Sequence, residues 1–472
     1  MPDIKDIKNK GMVLIITLAF GVIFLIIFGG TLSFILFQAK SYEKRKAWVE
    51  ALNIAEAGAN YYQWCISHEI FDCVGEKDYY DSSGQLMGKF FIENNEEISC
   101  GQTITRRIYS TGWTTKIPET KRKILVQYGR VSVAKYSYIV HENVWAGNDR
   151  EIWGLYHSNG GIRMDGTNYS IVSSYLPEWV CTSSLGCSTC PTNYGCRIEG
   201  DDCVCPGVFT TTNNAKTGLF IYPNNPFDFD HISVDLDILK QKANSNNSYF
   251  KPSVEIDSQA DGYHLKLKSD GTYEVWIITD LSYVSGYSTE DGWQDDYFLI
   301  ADEYRYGTYT INQSCGVIFF EDNLWVSGTV NGKVTVASAN LITSGVETSV
   351  VLPDNILYAS DDGSDGLSII SEQNILISPQ SPNNMTLKGI FIAQKGRFGR
   401  NHYINNFKDL LEIFGSTVSY GRTGTQWTSG SIIVSGYRIR HDYADQNLVY
   451  GAPPFVPYIS KDFKIIKWEE VR

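Results

Sequence analysis

Between Met12 and Phe37 the chain runs for 26 residues without a charge. As a helix rising about 1.5 Å per residue, that run is about 39 Å long, enough to cross a hydrocarbon core of about 30 Å. It is too long for the apolar core of a cleaved secretory signal, and Phe34-Ile35-Leu36-Phe37-Gln38 offers no small-residue cleavage site behind it. The near side differs. A polar leader, Met1 to Lys10, carries three lysines and two aspartates and ends in Lys10-Gly11 directly before Met12.

After the span, Lys40 to Ile66 continues without proline, with apolar residues at Trp48, Leu52, Ala55, Ala59, Tyr62 and Ile66. These lie on one helical face, so one helix is expected from the apolar run to about residue 70. Gly21, Gly29 and Gly30 each cost that helix about 1 kcal/mol against alanine.

The chain has 472 residues, 43% of them hydrophobic, so two or three domains with ample core are within reach. A formal net charge of −13 lacks the basic excess that binding to nucleic acid or an anionic membrane surface requires. Ten cysteines beside a membrane-type segment read as disulfides outside the cytoplasm.

A polar leader ending in Lys10-Gly11, then Met12 and an unbroken apolar helix, resembles the class III signal of type IV pilins. In that family the leader is cut on the cytoplasmic side and the helix is retained. Ala51-Leu52-Asn53-Ile54-Ala55-Glu56-Ala57-Gly58-Ala59 resembles the AxxxAEAG stretch of PilX-like minor pilins. Arg106 to Trp113 and Lys121 to Tyr128 resemble the strands that close the pilin module. The segments 261–276, 315–341, 389–401 and 451–457 resemble the exterior region of PilX-like pilus assembly proteins. The resemblance implies a prepilin peptidase acting between Gly11 and Met12. It also implies partnership with other pilin subunits and the assembly machinery, and a path from the cytoplasmic membrane, crossed once, to an extracellular pilus. It brings no catalytic residues. The family's fifth mature residue is glutamate, whose carboxylate meets a neighbour's amine in the filament; here that position is Ile16. A buried amine without a partner is costly, so Ile16 points to a subunit at the tip or start of a filament. A bulky exterior also favours low copy number, with adhesion to a surface glycan or protein receptor as its role.

Beyond about residue 130 helical periodicity gives way to short β-branched and aromatic runs broken by Gly, Asn and Asp. Residues 154–166, 317–339 and 366–393 look alike, each alternating short strands with small-residue corners. This is how coils of a parallel β-solenoid read, with a β-sandwich as the alternative. Asp270-Gly271, between HLKLK and YEVWII, reads as a hairpin turn. The expected organisation is thus α+β followed by mainly β. A leader spans 1–11, a long helix 12–70 with its filament core at 12–37, and a pilin-type sheet 71–130. The β-rich exterior domain spans 131–458, with a cysteine-rich insertion at 181–205, a hairpin region at 220–314 and a tail at 459–472.

Cys181, Cys187, Cys190, Cys196, Cys203 and Cys205 crowd into 25 residues and read as three disulfides, with a zinc knuckle as the alternative. Cys65, Cys73, Cys100 and Cys315 supply two further bridges. Cys65 with Cys73 is the favoured pair, since both lie at the end of the long helix. Asp361, Asp365 and Glu372 match places 1, 5 and 12 of a calcium loop whose place 6 is Gly366, but Gly363 at place 3 has no carboxylate. An acidic turn is the competing reading.

Enzyme signatures are thin, and no catalytic activity is expected. Neither H-E-x-x-H nor G-x-S-x-G occurs, and Gly328 to Val334 only mimics a phosphate loop. His157 and His264 read as structural histidines. A groove with paired acids on a glycan-cleaving solenoid stays open as an alternative, as does a plain anchored surface protein.

Overall fold

The computed structural model describes residues 5–70, 72–100, 102–430 and 432–471, the side chains of 5–11, 95–99 and 102–104 excepted. The chain divides into two compact units, 1–96 with 106–128 and 465–472, and 97–105 with 129–464.

The first unit is built on one helix, Lys5–Ser67. It begins seven residues before and ends three residues before the expected 12–70, and it runs through Gly11 without a break. Every residue from Met12 to Phe37 is exposed. The second half of the helix packs on a five-stranded sheet. The buried face is Ala47, Ala51, Ile54, Ala55, Gly58, Ala59, Tyr62 and Ile66; it keeps Ala55, Ala59, Tyr62 and Ile66 of the face read from the sequence, with Ala51, Ile54 and Gly58 in place of Trp48 and Leu52. The reason is close approach. A Cβ on Gly112 would stand 2.4 Å from the Ala51 carbonyl oxygen, and one on Gly58 would stand 2.4 Å from Ser110 Oγ. Small residues on both sides let sheet and helix backbones touch, while Trp48 is left 51% exposed under the Arg122 guanidinium, 3.4 Å from its ring centroid. The expected tail 459–472 is instead a strand, Tyr458–Val471, beside Lys121–Ser132 in that sheet. Arg122, nearly buried, pairs there with Glu470.

The second unit is dominated by parallel strand pairing. One register row runs Phe319, Ala337, Ile370, Ile392, Val418, Ile139, His157, Ser173, Ile221. The row climbs in sequence to Val418 and then steps back to Ile139. The strands that come first in the unit thus stack on those that come last. A second row, Lys388, Phe414, Tyr443, Trp153, makes the same backward step. At this junction Arg150 and Arg440 stand opposite each other in register. Each is neutralised across it: Arg150 by Asp442, and Arg440 by Asp149 through two bonds of 2.7 Å.

The parallel ladder buries both of its faces. Inward residues such as Tyr138, Val336, Ile369 and Phe391 belong to the larger core. The outward row is roofed by the segment carrying helices Phe229–Ile232 and Leu236–Ser245, whose Phe229, Ile232, Leu239 and Ala243 share a buried cluster with Phe319, Ile370, Ile392 and Ile139. Asp235 caps the longer helix, accepting a hydrogen bond from the Ile238 N–H at 3.1 Å. Within the expected hairpin region, the turn at Asp270-Gly271 joins Gly262–Leu267 to Thr272–Ser288, which pairs onward with Gly292–Thr310. The far end of this long hairpin lies antiparallel to His402–Tyr403.

Candidate interaction surfaces

Gly11 and Met12 are consecutive residues of the unbroken helix, while residues 1–4 of the expected leader lie outside the described residues. Ile16 is 46% exposed on the apolar segment. From Met12 to Ser67 the helix is long and apolar enough at its start to cross a membrane by length and composition.

The ten cysteines form five disulfides: Cys65–Cys73, Cys100–Cys315, Cys181–Cys187, Cys190–Cys203 and Cys196–Cys205. Among the described residues, the two places where three metal-ligand types converge are Cys181, Cys187, Cys205 and Cys196, Cys203, Cys205. All of these sulfurs are already bonded in pairs and have no thiolate to offer, which argues against the zinc knuckle. The cluster folds around a three-stranded sheet, Glu178–Val180, Asp202–Pro206 and Arg197–Glu199, with Trp179 and Phe209 in its small core.

The calcium reading of Asp361, Asp365 and Glu372 is corrected. The strand Gly366–Ser371 separates Asp365 from Glu372 and holds them on the order of 20 Å apart at about 3.3 Å per residue. Each carboxylate has its own partners. Asp365 accepts the Gly332 N–H at 2.6 Å and the Ser360 N–H at 2.7 Å; Glu372 accepts the Asn340 N–H at 3.0 Å; Asp361 meets Lys388 Nζ at 2.6 Å. The acidic stretch is a turn that organises strand ends.

Beside that turn opens a groove of about 720 Å³, walled by Tyr358, Phe414 and Tyr443 and edged by Asp361, Glu412 and Asp445. Its aromatic wall continues as a stack: Phe414 on Tyr443 at 4.5 Å, Tyr443 on Trp153 at 4.6 Å, Trp153 on Tyr169 at 4.7 Å between ring centroids. Phe414, Tyr443 and Trp153 occupy one register position in successive strands, so their ring faces cover one another. Lys388 lies between Tyr358 and Phe414, 5.7 Å from either ring centroid. Burial pushes the Asp445 carboxyl above its ordinary range, and the nearby Asp361 charge adds to that. No contiguous motif announces this groove, because its walls come from residues 357–388, 412–414 and 443–447.

His157 is buried, with Nδ1 2.9 Å from Ser173 Oγ and Nε2 3.1 Å from Asn159 Oδ1. Burial holds its pKa down at about 4, with a hydrogen bond to Asn159 opposing.

The fold thus defines a chain with a long, apolar-ended N-terminal helix followed by a large β-rich region that includes an antiparallel sheet. No protein-family model matches the chain, and no curated protein matches it. Among solved structures, the competence-associated pilin ComZ from Thermus thermophilus aligns with 90% of this chain and 98% of its own. The identity is 11% and the TM-score 0.30, too low a likeness to carry an argument.

Proposed function

We propose that the chain is a type IV pilin-like subunit of the PilX-like minor class, present in low copy at a filament tip, where it starts or caps assembly and presents its exterior unit for adhesion. The observation that carries this is the division of labour along one helix. From Met12 to Phe37 it is apolar and exposed, and its later part is packed on a sheet through Ala51, Ala55, Gly58 and Ala59. An exposed apolar stripe of this length is stable only in lipid or against other helices, and a filament core supplies the second environment.

In this reading the prepilin peptidase cuts between Gly11 and Met12, and the subunit waits in the cytoplasmic membrane before extraction into the pilus. Ile16 sets it at the tip, since it leaves no carboxylate for a neighbour's amine. The parallel register rows support a β-solenoid rather than a sandwich for the exterior unit. The mature N-terminus tests the reading. Edman sequencing or intact mass is expected to give a start at Met12 with a methylated amine; an intact Met1 leaves an ordinary membrane anchor instead. Gold-labelled subunits spread evenly along purified filaments would overturn the tip position alone.

A further inference from the structure

On the outer face of the second unit, three strands contribute one hydrogen-bonded chain of side chains. Ser327 Oγ lies 2.9 Å from His264 Nε2, and His264 Nδ1 lies 2.9 Å from Glu303 Oε2. A carboxylate at Nδ1 holds the proton there and leaves the Nε2 lone pair facing the serine hydroxyl. This is the polarity that a serine needs to act as nucleophile, with base and orienting acid both in hydrogen-bond reach.

The sheet fixes the arrangement. His264 and Lys266 alternate with Tyr263, Leu265 and Leu267, which are buried in the core, so both polar residues point outward. Ser327 stands opposite Lys266 in the adjoining parallel strand, and Glu303 arrives from the hairpin opposite Ile278. Lys266 Nζ holds the second oxygen of Glu303 at 2.5 Å and lies 3.9 Å from the Trp276 ring centroid. His264 is 8% exposed and Ser327 is half-buried, so the chain leads from shielded base to accessible hydroxyl. Burial raises the Glu303 carboxyl, but the bonds from His264 and Lys266 outweigh it and hold the group below its ordinary range, hence ionised.

We propose that Ser327, His264 and Glu303 form a nucleophilic triad that cleaves short-chain carboxylic esters. Ser327 Oγ attacks the ester carbonyl carbon while its proton passes to His264 Nε2. The tetrahedral intermediate collapses, the carbonyl carbon–alkoxy oxygen bond breaks, and the departing alcohol takes the proton from Nε2. Water then attacks the acyl-serine, giving a proton to Nε2; collapse returns that proton to Ser327 and releases the carboxylic acid. Glu303 stays ionised throughout and stabilises the imidazolium. Lys266, opposite Ser327, places an ammonium on the same face, where a developing oxyanion gains from fixed positive charge. The triad lies on the outer face of a sheet, which suits a short acyl group projecting from a larger polymer. Motif searches miss it because its partners are 39 and 63 positions apart in sequence.

Full-length protein in detergent micelles is treated with a fluorophosphonate probe, the adduct mapped by peptide mass spectrometry, and p-nitrophenyl acetate hydrolysis followed. The proposal expects an adduct on Ser327 and a burst of p-nitrophenol near one equivalent. Ser327→Ala abolishes both, and His264→Gln slows both by about 10²–10⁴-fold. Mapping on the unaltered protein needs no variant to fold. Absence of an adduct on Ser327 overturns the proposal, and so does labelling at an undiminished rate in His264→Gln. Neither outcome bears on the mature N-terminus, so the pilin-like reading stands or falls separately.

Discussion

Arg150 and Asp442 are 292 positions apart in sequence and bound side chain to side chain, Nε to Oδ2 at 2.5 Å and Nη2 to Oδ1 at 3.2 Å, in the interior of the second unit. Tyr138 donates its hydroxyl to the same aspartate at 3.1 Å. The pair marks the register of Ile432–Tyr443 against Arg150–Trp153, where the late strands of the unit receive the early ones.

Removing one partner strands a buried charge. Asp442→Ala is expected to destabilise the second unit by about 3–5 kcal/mol, whereas Arg150→Met with Asp442→Leu recovers most of the loss. Thermal unfolding followed by circular dichroism on both variants checks this; equal losses would mean that the apolar replacement does not pack.

The disulfides should differ in weight. Cys100–Cys315 closes a separation of 215 residues and Cys65–Cys73 one of 8, so chain entropy assigns them about 5 and about 2.5 kcal/mol. Urea titrations of Cys315→Ser and Cys73→Ser should rank in that order. Thiol labelling of the denatured, unreduced protein should find less than about one free thiol, since all ten cysteines are paired.

His157 predicts a pH dependence. Its pKa is about 4 in the folded chain against 6.5 for the free side chain, because burial penalises the charged ring. The unfolded chain therefore binds the extra proton first. Stability is fully present above about pH 6.5, declines as pH falls, and has lost on the order of 3 kcal/mol from this group below about pH 4. The melting temperature of His157→Gln should fall less steeply over that window than that of the unaltered protein.

Gly112 and Gly58 mark where helix and sheet meet. A Cβ on Gly112 has backbone atoms of Ala51 and Ala55 within 2.4 Å, which cannot swing aside as a side chain would. Gly112→Ala is expected to cost about 1–3 kcal/mol, and Gly84→Ala to cost less, since nothing stands within 4 Å of a Cβ at Gly84 and only its left-handed backbone is strained. Melting temperatures of the two variants decide between contact and backbone strain.

Calcium should leave the melting temperature unchanged, because Asp365 is held by two backbone N–H groups and Glu372 lies beyond a six-residue strand. Asp365→Ala should be destabilising by about 1–3 kcal/mol with or without calcium, since it leaves the buried Gly332 N–H unsatisfied. A calcium-dependent rise abolished by Asp361→Ala would restore the metal reading.

Much of the first unit was legible along the chain, because an uncharged run and a 3.6-residue period are local properties. Of the expected helix face, Ala55, Ala59, Tyr62 and Ile66 are buried, but Trp48 and Leu52 are not. Size alone ranked Trp48 and Leu52 above Ala51 and Gly58, but contact with a sheet backbone selects small residues. The terminal strand Tyr458–Val471 was missed for a related reason: its pattern has meaning only beside Lys121–Ser132, more than 300 positions earlier.

By itself the sequence determined that this chain carries a span-length apolar helix, continues that helix with an apolar 3.6-residue period, and follows it with short strands and paired cysteines. Each of these follows from near neighbours, through charge, periodicity and turn chemistry. Only the tertiary structure decided that the early strands stack on the late ones, that Arg150 finds Asp442, that Asp361, Asp365 and Glu372 stay apart, and that Ser327, His264 and Glu303 meet. Strand pairing joins residues at any separation along the chain, and a side chain's partner is set by register across strands, which no local pattern records.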